Sequence, residues 1–152
     1  FLIAGDTLPI AKAYSEITPD DEKITILVDT FKDEIEESLR VAEYLGDRLY
    51  GIRLDTPSER GGVTASLVYE LRQRLNQKGY NNVKIIVSGG LTPERIKELA
   101  LSGADAFGVG SYISDASPID MTMDIKEVEG EPIAKRGRIP GRIENKRLKR
   151  II

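Results

Sequence analysis

Apolar positions along this chain alternate between short β-branched runs and longer stretches at helical spacing. Ile24-Thr25-Ile26-Leu27-Val28-Asp29 is nearly continuously apolar and ends on a carboxylate, the pattern of a buried parallel strand with a polar C-terminal end. Phe31 to Leu45 follows with apolar residues at Ile35, Leu39, Ala42 and Leu45, and Gly46 stops that helix. The second unit predicts a strand over Leu49 to Leu54 ending at Asp55. A loop follows, Thr56-Pro57-Ser58-Glu59-Arg60-Gly61-Gly62, and then a helix over Val63 to Lys78. The third runs from Val83 to Val87 into Ser88-Gly89-Gly90, then a helix from Thr92 to Ser102. Thr92 is its N-cap, Pro93 takes the first helical position and Glu94 lies in the first turn. A fourth strand, Ala106 to Val109, closes on Gly110-Ser111.

Four short β/α steps predict a parallel α/β architecture. The opening Phe1-Leu2-Ile3-Ala4-Gly5-Asp6 reads as the end of a strand that begins elsewhere. With a helix over Leu8 to Ile17 it adds a fifth, truncated step, and the missing initiator Met marks the chain as a fragment of a longer polypeptide. A complete eight-fold barrel needs about 250 residues. The predicted fold is therefore half of an incomplete (β/α) TIM-like barrel over residues 1–118, with a small open sheet as the alternative. After Pro118, Met121 to Val128 nearly alternates, Gly130 turns and Pro132-Ile133-Ala134 restarts. That predicts an appended C-terminal β-hairpin over 119–138, followed by a basic tail over 139–152.

The chain has 152 residues, 40% hydrophobic and 31% charged, enough to bury a core and unlike a disordered segment. It has no cysteine and no histidine, which excludes a disulfide, a Cys/His zinc site and any Ser-His-Asp or Cys-His nucleophile pair within it. Carboxylates, Lys, Arg, hydroxyls, backbone amides and a hard, oxygen-bound metal remain. With no apolar run near the length of a membrane span, it reads as a soluble, cytoplasmic protein without a membrane partner. The net charge of −3 is uneven: Ile133 to Ile152 carries eight basic residues against Glu144, leaving −10 for the first 132. A basic tail admits a non-catalytic nucleic-acid-binding module, but the acidic body and the lack of Trp or clustered aromatics near the tail speak against it. The plainer reading is a solvated segment, or one paired with the acidic body.

The predicted strands all end on chemically useful groups: Asp29-Thr30, Asp55-Thr56, Ser88-Gly89-Gly90 and Gly110-Ser111. In parallel α/β folds, ligands sit outside the carboxyl ends of the strands. One such aspartate is as simply a helix cap; two beside two glycine turns point to a site. Ser88-Gly89-Gly90-Leu91 and Gly108-Val109-Gly110-Ser111 let backbone N–H groups converge with no Cβ in the way, which suits a phosphate. Arg53 and Asp55 are two apart and share a strand face. They form either a structural ion pair or a clamp in which Arg53 holds a flat anion and Asp55 a sugar hydroxyl. The Glu59-Arg60-Gly61-Gly62 loop either closes over the ligand or is a linker.

Ile52-Arg53-Leu54-Asp55-Thr56, Ile86-Val87-Ser88-Gly89-Gly90-Leu91, Phe107-Gly108-Val109-Gly110-Ser111, Asp29-Thr30 and Pro132-Ile133-Ala134-Lys135-Arg136-Gly137-Arg138 resemble the nicotinate phosphoribosyltransferase family, particularly its archaeal branch. The likeness runs over most of residues 1–138. It implies a type II phosphoribosyltransferase with a mixed N-terminal domain, an incomplete α/β barrel and an active site shared in a homo-oligomer, a dimer or larger. Such enzymes join nicotinate to phosphoribosyl pyrophosphate (PRPP), giving nicotinate mononucleotide and pyrophosphate for NAD synthesis, with ATP as an assisting co-substrate. By position, the resemblance places the 5′-phosphate at Ser88, Gly89, Gly90, Gly110 and Ser111. It places Asp55 and Asp29 beside the ribose and its Mg²⁺ or pyrophosphate as catalytic and metal-binding groups. Arg53 falls near the pyridine ring, and Thr30 joins the substrate-binding set. The family's phosphorylated histidine falls just upstream of the stretch matching Phe1 to Asp6. The N-terminal part, or a partner chain, that completes the pocket is also outside this sequence, so the chain alone is expected to be inactive. Displacing pyrophosphate from an anomeric carbon needs positioning, a metal for the leaving group and carboxylates near developing positive charge, but no histidine base. Alternatives are quinolinate phosphoribosyltransferase and a phosphosugar isomerase or synthase, which share the glycine turns. The exposed strand edges of a half-barrel also call for a partner.

Overall fold

The computed structural model describes residues 1–147, 149 and 151; Arg150 of the basic tail, with Leu148 and Ile152, lies outside the described residues. The chain divides into two compact units, Phe1–Ala116 and Ser117–Ile152. The first contains α1 (Thr7–Ile17), β1 (Ile24–Leu27), α2 (Glu34–Leu45), β2 (Leu49–Leu54), α3 (Ala65–Gln77), β3 (Lys84–Ser88), α4 (Pro93–Leu101), β4 (Ala106–Gly108) and the short α5 (Ser111–Ser114). Its four strands are parallel and lie in sequence order, β1-β2-β3-β4. The helices follow the same order, α1 packing on α2, α2 on α3 and α3 on α4. A sheet that never reverses its order, lined by sequential helices, is a partial TIM-like barrel and not a doubly wound fold.

Burial separates the two faces of the sheet. Ile24, Ile26, Val28, Ile52, Leu54, Ile85 and Val87 are buried in the core with Val41, Leu45, Val68, Leu71, Leu75 and Leu99 of the helices. On the opposite face, Leu27, Arg53, Ile86 and Ala106 are register partners across all four strands. Gly51 is required there: a Cβ would lie 3.0 Å from Ile86 Cδ1 and 3.1 Å from the Lys84 carbonyl oxygen. Four helices begin where a side-chain oxygen takes an end amide, Asp6 Oδ1 accepting from Leu8 at the start of α1. Asp33 Oδ1 accepts from Ile35 and Glu36, Thr64 Oγ1 from Leu67, and Thr92 Oγ1 from Arg95. Arg72 and Lys84 both pair with Asp105, whose carboxylate also accepts the Ile85 N–H, and so tie the start of β4 to β3.

Three expectations are corrected. Phe1–Gly5 is not a strand: the Ala4 and Gly5 amides turn back to the Phe1 carbonyl, and the described sheet begins at Ile24. The helix expected from Phe31 starts at Glu34, because Asp33 competes for the first amides and sets the boundary. In the second unit the hairpin is much shorter than the alternation suggested. It pairs β5 (Glu127–Val128) with β6 (Glu131–Pro132) around Glu129 and Gly130, both at positive φ as a two-residue hairpin turn demands. Met121, Met123 and Ile125 stay exposed and unpaired, so their alternation has no buried face to enforce it. Around the hairpin, the Lys126 carbonyl accepts from both Ile133 and Gly141, and Arg138 pairs with Asp124 at 3.1 Å. No helix among the described residues is long and apolar enough to cross a membrane.

Because Ile52 is fully buried in the central strand pair, Ile52→Ala is expected to cost about 2–5 kcal/mol. Urea unfolding followed by circular dichroism measures this, with the midpoint falling and the slope unchanged.

Candidate functional site

The parallel register brings the four strand ends to one rim. Ser88 and Gly108 are register partners at the ends of β3 and β4, and Gly108 carries no Cβ where one would lie 3.2 Å from Ser88 Cβ. One strand further back, the Asp29 carboxylate accepts the main-chain N–H of Asp55. Arg53 bridges the middle: Nη2 donates to Asp55 Oδ2 at 3.0 Å, and Nε donates to Ser88 Oγ at 3.0 Å. The hydroxyl of the buried Ser88 lies 3.3 Å from the Leu54 carbonyl, to which it donates. A continuous polar chain, Asp29–Asp55–Arg53–Ser88, thus runs along the rim.

Arg53, Asp55, Ser88, Gly89, Gly90, Gly108, Val109, Gly110 and Ser111 line one cleft of about 410 Å³. Among the described residues, no acceptor takes the backbone N–H of Gly89, Gly90, Gly110 or Ser111. Main-chain amides without protein partners at a concave surface are a feature of anion sites. Gly89 sits at φ 94°, and a Cβ there would fall 2.9 Å from Asp55 Oδ1, so this glycine is what lets the carboxylate close against the turn. A second cleft of about 420 Å³ shares Asp55, Gly89 and Gly90 and continues under the Thr56–Gly62 loop to Arg95.

Burial raises the Asp29 pKa above its ordinary 3.8. The Asp55 N–H acts in the opposite sense, and the nearby charges of Asp55 and Glu34 add to the rise. Away from the rim, Asp6 is held down to about 2, chiefly by its hydrogen bonds with Arg40.

The expected site residues fall into three sets. Arg53, Asp55, Ser88, Gly89, Gly90, Gly110 and Ser111 meet at the cleft. Asp29 lies behind it and reaches it through Asp55. Thr30 lies in the turn after β1, outside the cleft lining, with no side-chain hydrogen bond among the described residues. Two features escaped the sequence pattern. Val109 lines the cleft through its position between two glycines. Glu34, nearly fully buried at the start of α2, accepts from Thr56 Oγ1 at 3.0 Å and from Arg60 Nη2 at 3.3 Å, anchoring the loop beyond Asp55. In the sequence Glu34 looks like one more acid in a helix's first turn, and only its depth distinguishes it. The Thr56–Gly62 loop is accordingly tethered to α2, and its Ser58–Arg60 segment forms a single 3₁₀ turn. No group of three or more carboxylates converges as a protein-built metal site among the described residues. Asp55 and Asp29 offer hard oxygens suited to Mg²⁺ only if most other ligands come from water and phosphate.

The parallel sheet with glycine turns at its carboxyl-end rim is that of a partial TIM-like barrel, and comparison with known proteins specifies the family. The family model described as the C-terminal domain of quinolinate phosphoribosyl transferase matches residues 1–124. This chain belongs to that phosphoribosyltransferase family. It is 33% identical over 109 residues to nicotinate phosphoribosyltransferase of Bacillus subtilis, covering 69% of this chain and 21% of the relative. A Mycobacterium tuberculosis nicotinate phosphoribosyltransferase is 32% identical over 115 residues, covering 74% of this chain and 24% of its own length. Among solved structures, nicotinate-nucleotide pyrophosphorylase from Pyrococcus furiosus superposes with a TM-score of 0.72 at 47% identity, covering 93% of this chain and 36% of that one. The chain thus spans less than a quarter of the length of these two curated relatives.

Two outcomes follow from the rim geometry. Gly89→Ala places a methyl against Asp55 at a positive φ, which should destabilise the protein by about 1–3 kcal/mol; thermal unfolding measures it, and an unchanged midpoint contradicts the close approach. Asp29 has a raised pKa in the folded state, so the native protein binds the extra proton and stability falls as pH rises from 3.8 through that raised value. Asp29→Asn keeps an oxygen for the Asp55 N–H and removes the charge. The unfolding free energy of the variant relative to wild type should therefore rise across that window and level off above it, whereas a pH-independent difference contradicts the burial effect.

Proposed function

We propose that this chain forms the phosphate- and pyridine-facing wall of a nicotinate phosphoribosyltransferase of the archaeal type. The reaction transfers the phosphoribosyl group of PRPP to nicotinate, giving nicotinate mononucleotide and pyrophosphate for NAD synthesis. The observation that supports it best is the pair of glycine turns, with amides that have no acceptor among the described residues, lining one cleft with the Arg53 guanidinium. In this reading Gly89, Gly90, Gly110 and Ser111 take the 5′-phosphate, Asp55 orients the ribose, and Arg53 takes the carboxylate of the pyridine ring. Asp29 fixes the main chain of Asp55. The ring nitrogen of nicotinate attacks C1′ with its own lone pair while the C1′–O bond to pyrophosphate breaks. No proton is transferred, so the absence of histidine is no obstacle to this step. In this reading the Asp55 carboxylate lies beside the ribose, where an oxocarbenium-like transition state gains positive charge.

Mg²⁺ fits as a partner of the PRPP phosphates held beside Asp55, where it supplies charge neutralisation for the leaving pyrophosphate. ATP as co-substrate draws on no histidine of this chain, because the sequence contains none. Further polypeptide, from the same protein or a second copy in a homo-oligomer, completes the pyridine pocket.

The family model supports a second reading with quinolinate as acceptor. Quinolinate carries two carboxylates and loses one as carbon dioxide. Among the described residues Arg53 is the one cation lining the rim cleft, which suits one carboxylate better than two. Assays of the full-length enzyme with PRPP and each acid decide between them. Turnover of nicotinate without carbon dioxide release is expected; turnover of quinolinate with its release overturns the first reading. Arg53→Glu should raise the KM for nicotinate about 10- to 100-fold, as loss of a charged two-point contact implies, and raise the KM for PRPP by less, through the released Asp55 and the added negative charge in the shared cleft. An unchanged nicotinate KM removes Arg53 from the pyridine site.

A further inference from the structure

Ser88 belongs to a glycine turn that the sequence pattern assigns as a whole to phosphate, but its hydroxyl is already committed on both sides. Its proton goes to the Leu54 carbonyl, 3.3 Å away, and its lone pair receives Nε of Arg53 at 3.0 Å. The residue is buried, and Gly108 packs close against its Cβ, so the rotamer is fixed by its surroundings. A hydroxyl whose proton is engaged by a carbonyl has none left to donate to a phosphate. The Arg53 side chain, by contrast, is about half exposed and would lose considerable rotamer entropy if a ligand had to order it.

Two fixed points now define the guanidinium. Ser88 Oγ takes Nε–H and Asp55 Oδ2 takes one Nη2 hydrogen. Both lie along the same edge of the planar group, leaving Nη1 and the second Nη2 hydrogen without partners among the described residues. That free end is a two-donor fork, matched to the two oxygens of a planar carboxylate. We propose that Ser88 is a positioning residue for Arg53: its hydroxyl holds the guanidinium so that the free fork faces an aromatic monocarboxylate, and it does not bind the phosphate. This rests on the nicotinate reading of the site.

Three measurements on the full-length enzyme test it. In wild-type protein the Arg53 Nε–H should give a resolved nitrogen–proton NMR signal exchanging at least about tenfold more slowly than an exposed arginine, as a hydrogen-bonded group does. A free exchange rate there overturns the proposal whether or not any variant folds. Ser88→Ala should weaken nicotinate binding, measured by calorimetry in the presence of ribose 5-phosphate, about fivefold, the effect of one modest hydrogen bond. The affinity for ribose 5-phosphate should change less than about twofold. In an Arg53→Leu background the same substitution should change nicotinate affinity less than about twofold, since Ser88 then has nothing to position. A variant that loses ribose 5-phosphate and keeps nicotinate makes Ser88 a phosphate ligand and overturns the proposal. If wild-type protein with a protected Nε–H binds neither compound, the nicotinate reading of the site falls, and with it the role given to the fork.

Discussion

Asp55 is held from two directions, and the geometry of the rim depends on that. Its main-chain N–H is taken by Asp29 from β1, and its carboxylate by Arg53 two residues earlier on the same strand. Arg53 in turn reaches across to Ser88 on β3. Three strand ends are thereby fixed relative to one another by side chains as well as by the parallel ladder. The cost is a partly buried Asp29 carboxylate whose pKa is pushed up.

The glycines complete what the charged groups begin. Gly89 and Gly108 are absent side chains as much as present residues: one lets the Asp55 carboxylate touch the turn, the other lets β4 lie against Ser88. The turns they belong to line one cleft, and the amides of Gly89, Gly90, Gly110 and Ser111 have no acceptor among the described residues. In the proposed reading the phosphate site is built from backbone, and Arg53 is left to recognise a second anionic group. Division of labour between neutral amides and one oriented guanidinium explains how an acidic chain can offer a site for anions.

Much of this was legible from residue order. β1 and β3 follow β-branched apolar runs, and Thr92-Pro93 announces α4, because in each case local preference and tertiary structure agree. The strand-end aspartates and glycine turns were legible for the same reason: strands of one parallel sheet must present their ends to one rim. What failed to show were features decided by neighbours. Phe1–Gly5 is as apolar as a strand but bonds to itself. Met121 to Ile125 alternates without a partner to bury one face. Glu34 gives no sign in the sequence of its depth or of its grip on Thr56 and Arg60, and Ser88 looks like any serine in a phosphate turn until its two partners are seen.

The central claim is that the amides of the two glycine turns bind the phosphate of a phosphoribosyl ligand. Titrating the full chain with PRPP while following backbone amide chemical shifts tests it most directly. The account predicts that Gly89, Gly90, Gly110 and Ser111 move first and furthest, with inorganic phosphate moving the same amides more weakly. Shifts confined to the opposite ends of the strands, around Asn81, Asn82 and Lys84, or none at all, would contradict it.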